Sequence, residues 1–192
     1  MTRDKLIAAA RAGFLAQGYF ATGTDDILRA AGVQRGSLYH HFKDKAALLE
    51  AVVRQLQGEA MLSIANACAD APEPLLTGCL AWLDWLSNPG LKRLLLRELP
   101  AALSGEQIDE LAGSGITGWL ESQIGQTATA LTPAHAPALA GLLGALADMP
   151  QPQREALLRD WLGRFSTRPM AGSDYLKLLA AARGAEAPPA GV

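Results

Sequence analysis

TGTDDILRAAGVQRGSLYHHFKDKAALL, residues 22–49, says more about this chain than any other stretch. Thr22, Gly23 and Thr24 offer a helix start, and Asp25 and Asp26 put negative charge in its first turn, where it suits the helix dipole. Ile27, Ala30 and Ala31 form the apolar side of that short helix. Gly32 sits where the chain must turn sharply, and only glycine enters a left-handed conformation without penalty. Val33 fills the angle between this helix and the next. The second helix, about residues 35–42, buries Leu38 and Phe42, spaced i and i+4. Arg35, Ser37, Tyr39 and His40 are left on its outer side. The layout is a helix-turn-helix. A short helix anchored on one side and carrying Arg, Ser, Tyr and His on the other suits a groove of DNA.

The string Gly32-Val33-x-Arg35-Gly36-x-Leu38-Tyr39-x-His41-Phe42-x-x-Lys45-x-x-Leu48-Leu49 closely resembles the N-terminal signature of TetR-family transcriptional regulators. The likeness covers roughly residues 5–55. It implies an all-α homodimer. A three-helix DNA-binding domain (residues 1–46) would precede a helical-bundle effector-binding and dimerisation domain (47–183) and a disordered tail (184–192). It further implies that Arg35, Ser37 and His40 face base edges in the major groove, while Tyr39 and His41 bond the sugar-phosphate backbone. Arginine suits a guanine, which it grips with two hydrogen bonds. Lys45, opening the next helix, and Thr24, opening the one before, are placed to meet phosphates. The sequence departs from the family twice. Gln34 stands where a Ser or Thr usually caps the reading helix, and Gly23 replaces a common capping Ser; each is weaker as a cap by about 1 kcal/mol or less. Gln34 instead becomes available to contact DNA. Competing readings stay open: Tyr39 packed on the first helix, His41 partly buried, Lys45 an ordinary solvated charge.

The chain has 192 residues, 49% of them hydrophobic and only 19% charged, so apolar area is left over for an oligomer interface or a ligand cavity. Its net charge of −2 does not announce a nucleic-acid partner, but the charge is uneven. Residues 1–50 hold seven Lys/Arg against five Asp/Glu, and residues 51–192 hold ten against fourteen. Cys68 and Cys79 have no metal-ligand spacing and read as small core residues. Charges at Arg3, Asp4, Lys5 and Arg11 interrupt any N-terminal leader, and no apolar run approaches the ~20 residues of a membrane span. A cytoplasmic protein without membrane contact is the expectation.

Helical periodicity extends almost throughout. The first helix, residues 3–17, turns Leu6, Ile7, Ala10 and Phe14 inward and stops at Gly18. Asp44 caps a long helix carrying Leu49, Val53, Leu56, Ala60 and Ile64. After a break at residues 71–74 comes a helix with Leu76, Cys79, Leu80, Leu83 and Leu86 on one side, then a turn at Asn88-Pro89-Gly90. Residues 91–99 are helical, with Pro100 disturbing the end, and 104–125 form one or two helices loosened by glycine. Residues 127–137 read as loop, 136–148 and 152–165 as two apolar helices, 166–173 as loop and 174–183 as a last short helix. The two apolar helices are expected to pair with their mates as a four-helix bundle through Leu139, Leu142, Leu143, Leu146, Leu158, Trp161, Leu162 and Phe165. Closing the subunit's own core is their other reading. Candidate residues for an effector cavity are Ile64, Trp82, Leu83, Leu86, Leu99, Trp119 and Gln123. Four tryptophans, and no sign of buried charge, favour a neutral, apolar or aromatic effector.

An enzyme is the main rival class. No nucleophile elbow, P-loop, zinc-protease or dinucleotide motif occurs. Two of the three histidines, His40 and His41, lie in the reading helix, and His135 has no carboxylate or cysteine near it in sequence. No cofactor is expected. The remaining alternative is a helical interaction protein without DNA binding. The expected partners are operator duplex, a small effector and a second copy of the chain, with repression relieved when the effector binds.

Overall fold

A computed structural model describes residues 2–126 and 131–165, and the side chain of Phe165 lies outside it. The last helix expected at 174–183, the loop before it and the tail at 184–192 also fall outside the described residues. Those described are helical, with no strand among them. They group into two compact units, neither continuous in sequence. One runs through Leu62 and resumes over Trp85–Gly115; the other comprises Ser63–Asp84 and the described residues from Ile116 onward.

The first unit opens with α1 (Thr2–Ala16), whose Leu6, Ile7, Ala10 and Phe14 are buried as the periodicity requires. Gly18 ends it at φ 102, donating its N–H to the Phe14 carbonyl at 3.0 Å. Buried Thr22 closes the corner, its hydroxyl donating to the Gly18 carbonyl at 2.7 Å. Helix α2 (Thr24–Ala31) starts at Gly23, whose N–H donates to the Asp26 carboxylate at 3.3 Å; Asp26 supplies half of the capping that the glycine lacks. Its buried residues are Ile27 and Leu28, whereas Ala30 is exposed. On the helical wheel Ala31 lies between Ile27 and Leu28, and Ala30 falls about 110° from the centre of that face. Gly32 has φ 65 and ψ 36, and Val33 donates to the Leu28 carbonyl at 3.1 Å, closing the turn.

Helix α3 (Arg35–His41) ends at Phe42. Asp44 caps α4 (Lys45–Cys68), accepting from the Ala47 N–H at 2.7 Å. In the same unit, Asn88 accepts from the N–H groups of Gly90 and Leu91 at 2.9 and 3.2 Å. Asn88-Pro89-Gly90 is therefore a capped helix start rather than a free turn: α6 is Pro89–Arg93. The chain widens into one π-helical turn at Leu94–Glu98, where Leu99 donates to the Leu94 carbonyl, and continues as α7 (Leu99–Ala102). Pro100 has no N–H to give to a preceding turn, so the widened turn absorbs it and the helix goes on. Helix α8 (Gly105–Ser114) ends against Gln57, whose side-chain amide donates to the Leu111 carbonyl at 3.0 Å.

The second unit contains most of α5 (Pro74–Trp85), α9 (Ile116–Gln126), a single 3-10 turn at Pro133–His135, α10 (Ala136–Leu146) and α11 (Gln151–Phe165). Gly78 on α5 makes room for Trp119. A Cβ there would overlap the indole ring, with Cζ3 at 3.1 Å and two ring atoms nearer still. Arg154 is buried, paired with Asp84 and donating to the Leu83 carbonyl at 3.4 Å. Buried charge is thus present where composition suggested none. The Cys79 thiol is fully buried, and burial pushes its pKa well up. The half-buried Cys68 thiol, raised for the same reason, donates to the Pro74 carbonyl at 3.3 Å. Among the described residues no helix is long and apolar enough to cross a membrane.

Six of the eight residues expected between copies — Leu139, Leu142, Leu143, Leu146, Leu158 and Trp161 — are buried inside the chain itself. A side chain already surrounded by its own subunit has no surface to give a second copy. Leu162 is half-buried. The effector candidates are likewise absorbed: Ile64, Trp82, Leu83, Leu86 and Leu99 are core, while Trp119 and Gln123 are half-buried. Leu86 and Leu99 belong to the first unit and the other five to the second.

Candidate nucleic-acid interface

Helix α3 is two-sided. Leu38 is 0% and Phe42 5% exposed, which fixes the helix to its unit. Gln34, Arg35, Gly36, Tyr39, His40 and His41 are exposed, and Ser37 is half-buried. Tyr39, at 54% exposure, does not pack into the core. His41 is solvent-facing too, its ring in edge-to-face contact with His40 at 5.0 Å between centroids. Gln34 makes no side-chain cap bond, so its amide is not spent on the helix terminus. Four of the eight DNA-contact candidates thus lie outward on α3 with Gln34 just before them. Thr24 opens α2 and Lys45 opens α4, both half-buried.

Two of the cations are held in ways that sequence order does not suggest. The Arg35 guanidinium donates to Asp25 Oδ1 on α2 at 2.9 Å, a pair that is mostly exposed on both sides. The Lys45 ammonium lies 4.3 Å from the centroid of the Tyr19 ring. Desolvation lowers the Lys45 pKa, and the negative charge of Glu98 partly opposes that shift. Burial raises the Tyr19 pKa, assisted by the charge of Asp44.

Glu98 was not singled out in the sequence. Its carboxylate accepts from the Tyr19 N–H at 2.7 Å and sits 3.6 Å from Arg93 Nε. Arg93 in turn donates to the carbonyls of Phe14 and Leu15 at 3.1 and 2.9 Å, covering the C-terminus of α1 where a cation is favoured. Gly90 lies against the Leu15 carbonyl with no room for a side chain. Residues 90–98 thus clasp the corner between α1 and α2.

Residues 6–52 match the model of the family described as "Bacterial regulatory proteins, tetR family". The outward face of α3, its buried anchors and the glycine turn before it all lie within that match. Over this segment the chain is similar to the TetR family. It is 35% identical over 94 residues to the HTH-type transcriptional regulator LmrA of Bacillus subtilis, covering 45% of this chain and 46% of that protein. It is 38% identical over 80 residues to the HTH-type transcriptional regulator TtgR of Pseudomonas putida, covering 41% of this chain and 37% of that one. The chain thus spans less than half the length of these curated relatives. A crystal structure of a TetR-family transcriptional regulator from Pectobacterium atrosepticum matches further, at 29% identity and TM-score 0.66, over 88% of this chain and 96% of that one. The TetR likeness is therefore densest over the helix-turn-helix in sequence and reaches the remaining helices as fold. The printed names of these relatives are those of transcriptional regulators.

Proposed function

We propose that the chain is a transcriptional regulator that binds operator DNA as a symmetric dimer, each copy laying α3 in the major groove. The observation that carries this is the two-sidedness of α3: apolar anchors fully buried, polar and cationic side chains outward. Arg35 reads a guanine, with Ser37 and His40 on neighbouring base edges. Tyr39, His41, Thr24 and Lys45 hold the backbone, and Gln34 extends the reading side at its first turn.

One such helix contacts few bases. Two copies place a pair of reading helices at half-sites about 34–36 Å apart, or a multiple of that. Helices α10 and α11 form the contact between copies, but through their outer faces. Ala140, Gly141, Gly144 and Ala145 are small and not fully buried, which permits close approach of helices, and Leu157 adds apolar area beside them.

The effector is a small apolar or aromatic compound bound in the second unit. A cleft of about 240 Å³ there is lined by Pro72, Glu73, Pro74, Leu75, Leu76, Leu131 and Leu162, and supports an apolar ligand better than the buried residues of the sequence pattern. Helix α4 contributes residues to both units, so ligand and DNA bias one another's binding by the same factor. Release from the operator on ligand binding is the outcome this reading favours. Selection from a pool of random duplexes tests the central part. Enrichment of an inverted repeat with half-sites a whole number of turns apart supports it, and no enrichment contradicts it.

A further inference from the structure

We propose that Arg3 contacts a DNA phosphate and extends the DNA face beyond the matched segment, which begins at residue 6. The inference rests on the DNA-binding reading above. Arg3 sits in the first turn of α1 and is exposed, yet its guanidinium is not adrift: it lies over the Phe42 ring, 5.4 Å from the centroid. Phe42 is the residue that ends α3, its N–H donating to the Leu38 carbonyl at 2.8 Å, and its ring is buried. The stack ties the start of α1 to the turn between α3 and α4. That turn carries exposed Lys43 and leads directly into Lys45. Asp44, between them, is engaged in capping α4 through the Ala47 N–H. Arg3 therefore adds a cation beside the end of the reading helix, stacked on a ring. Asp4, the nearest acid in sequence, shares with Arg3 and Arg54 a groove between α1 and α4, and Arg54 is paired with Glu110 at 2.6 Å. Arginine suits this place because one face of its planar group stacks while its N–H edge remains open to phosphate oxygens.

A merely structural Arg3 and a phosphate-contacting one differ in salt dependence. Each phosphate contact removed lowers the magnitude of the negative slope of log K against log salt by about 0.9, and a symmetric dimer loses two, so Arg3→Ala makes the slope shallower by about 1.8. The probe is a random-sequence duplex of about 30 base pairs, enough for two to three turns. Arg3→Lys keeps the charge and should keep most of the slope. Arg11→Ala is the charge-matched control: Arg11 also lies on α1, but is paired with Glu59 at 2.7 Å. The proposal expects the slope to become shallower for Arg3→Ala and to hold for Arg11→Ala, with relative preference among duplexes unchanged. Thermal melting of each variant reports any loss of folding separately. An unchanged slope for Arg3→Ala overturns it, as does an equal flattening in both alanine variants, which signals only a general field. If Arg35→Ala and Lys45→Ala weaken binding while Arg3→Ala leaves the slope intact, this inference alone fails. If the wild-type protein binds no duplex at any salt, it fails together with the functional reading.

Discussion

Replacing Glu98 separates two contributions at the corner between α1 and α2. Its side chain is 15% exposed and accepts from the Tyr19 N–H at 2.7 Å, with Arg93 at 3.6 Å. Glu98→Gln keeps an amide oxygen for that N–H but removes the charge. A hydrogen bond to a charged group contributes about 1.5–3 kcal/mol and one to a neutral group about 0.5–1.5, so the loss is about 1 kcal/mol. Glu98→Ala removes the acceptor altogether. The Tyr19 N–H, beside a buried ring, is left unsatisfied at a cost of about 1–3 kcal/mol. Arg93 also loses its nearest carboxylate. The expected order is therefore wild type, then Gln at about 1 kcal/mol, then Ala at about 2–4 kcal/mol, summing the two losses. Because the chain divides into two units, a single global unfolding curve is a poor readout. Hydrogen exchange at the Tyr19 amide reports the corner directly, and a tenfold loss of protection corresponds to about 1.4 kcal/mol. Glu98→Gln should lower protection by less than Glu98→Ala, and both should leave α9–α11 unchanged. If Gln costs as much as Ala, or if Ala leaves the Tyr19 amide as protected as before, the clasp does not hold the corner.

Asp25→Ala should raise affinity for random-sequence duplex several-fold at low salt, because it frees the Arg35 guanidinium and removes a negative charge from the DNA face; fluorescence anisotropy measures this, and weaker binding would show that Asp25 orients Arg35 productively. Gly78→Ala should destabilise the second unit by about 1–3 kcal/mol through overlap with the Trp119 ring, with Trp119→Leu in the same chain recovering part of the loss; equilibrium denaturation followed by tryptophan fluorescence tests it, and equal stability of Gly78→Ala and wild type refutes the close approach.

What the sequence made legible was local. Leu6, Ile7, Ala10 and Phe14, and again Leu38 and Phe42, announce their burial by spacing within one helix, and Gly32 announces its turn because few other residues adopt φ 65. Contacts made across long separations left no such mark. Arg93 and Glu98 reach residues 78 or more positions earlier, and Arg154 pairs with an acid 70 positions away. Pro89 and Gly90 announce a turn, whereas the capping role of the Asn88 side chain depends on where the following helix lies. The leucines of α10 and α11 show that an apolar stripe says which side is buried, but not whether its cover is the same chain or another copy. Trp119 followed the same logic: its ring fits the space that Gly78 leaves open, so its bulk reflects helix contact rather than a cavity.

The central claim is that the outer side of α3 reads DNA, and Arg35 is the residue on which that rests most. The measurement is affinity for the selected site and for that site with its best-contacted guanine replaced, in wild type and in Arg35→Ala. Wild type should discriminate by about 1–3 kcal/mol at that position, the range of one bidentate contact, and Arg35→Ala should lose the discrimination without a change in oligomeric state. Undiminished discrimination in Arg35→Ala at every guanine of the site would contradict the account.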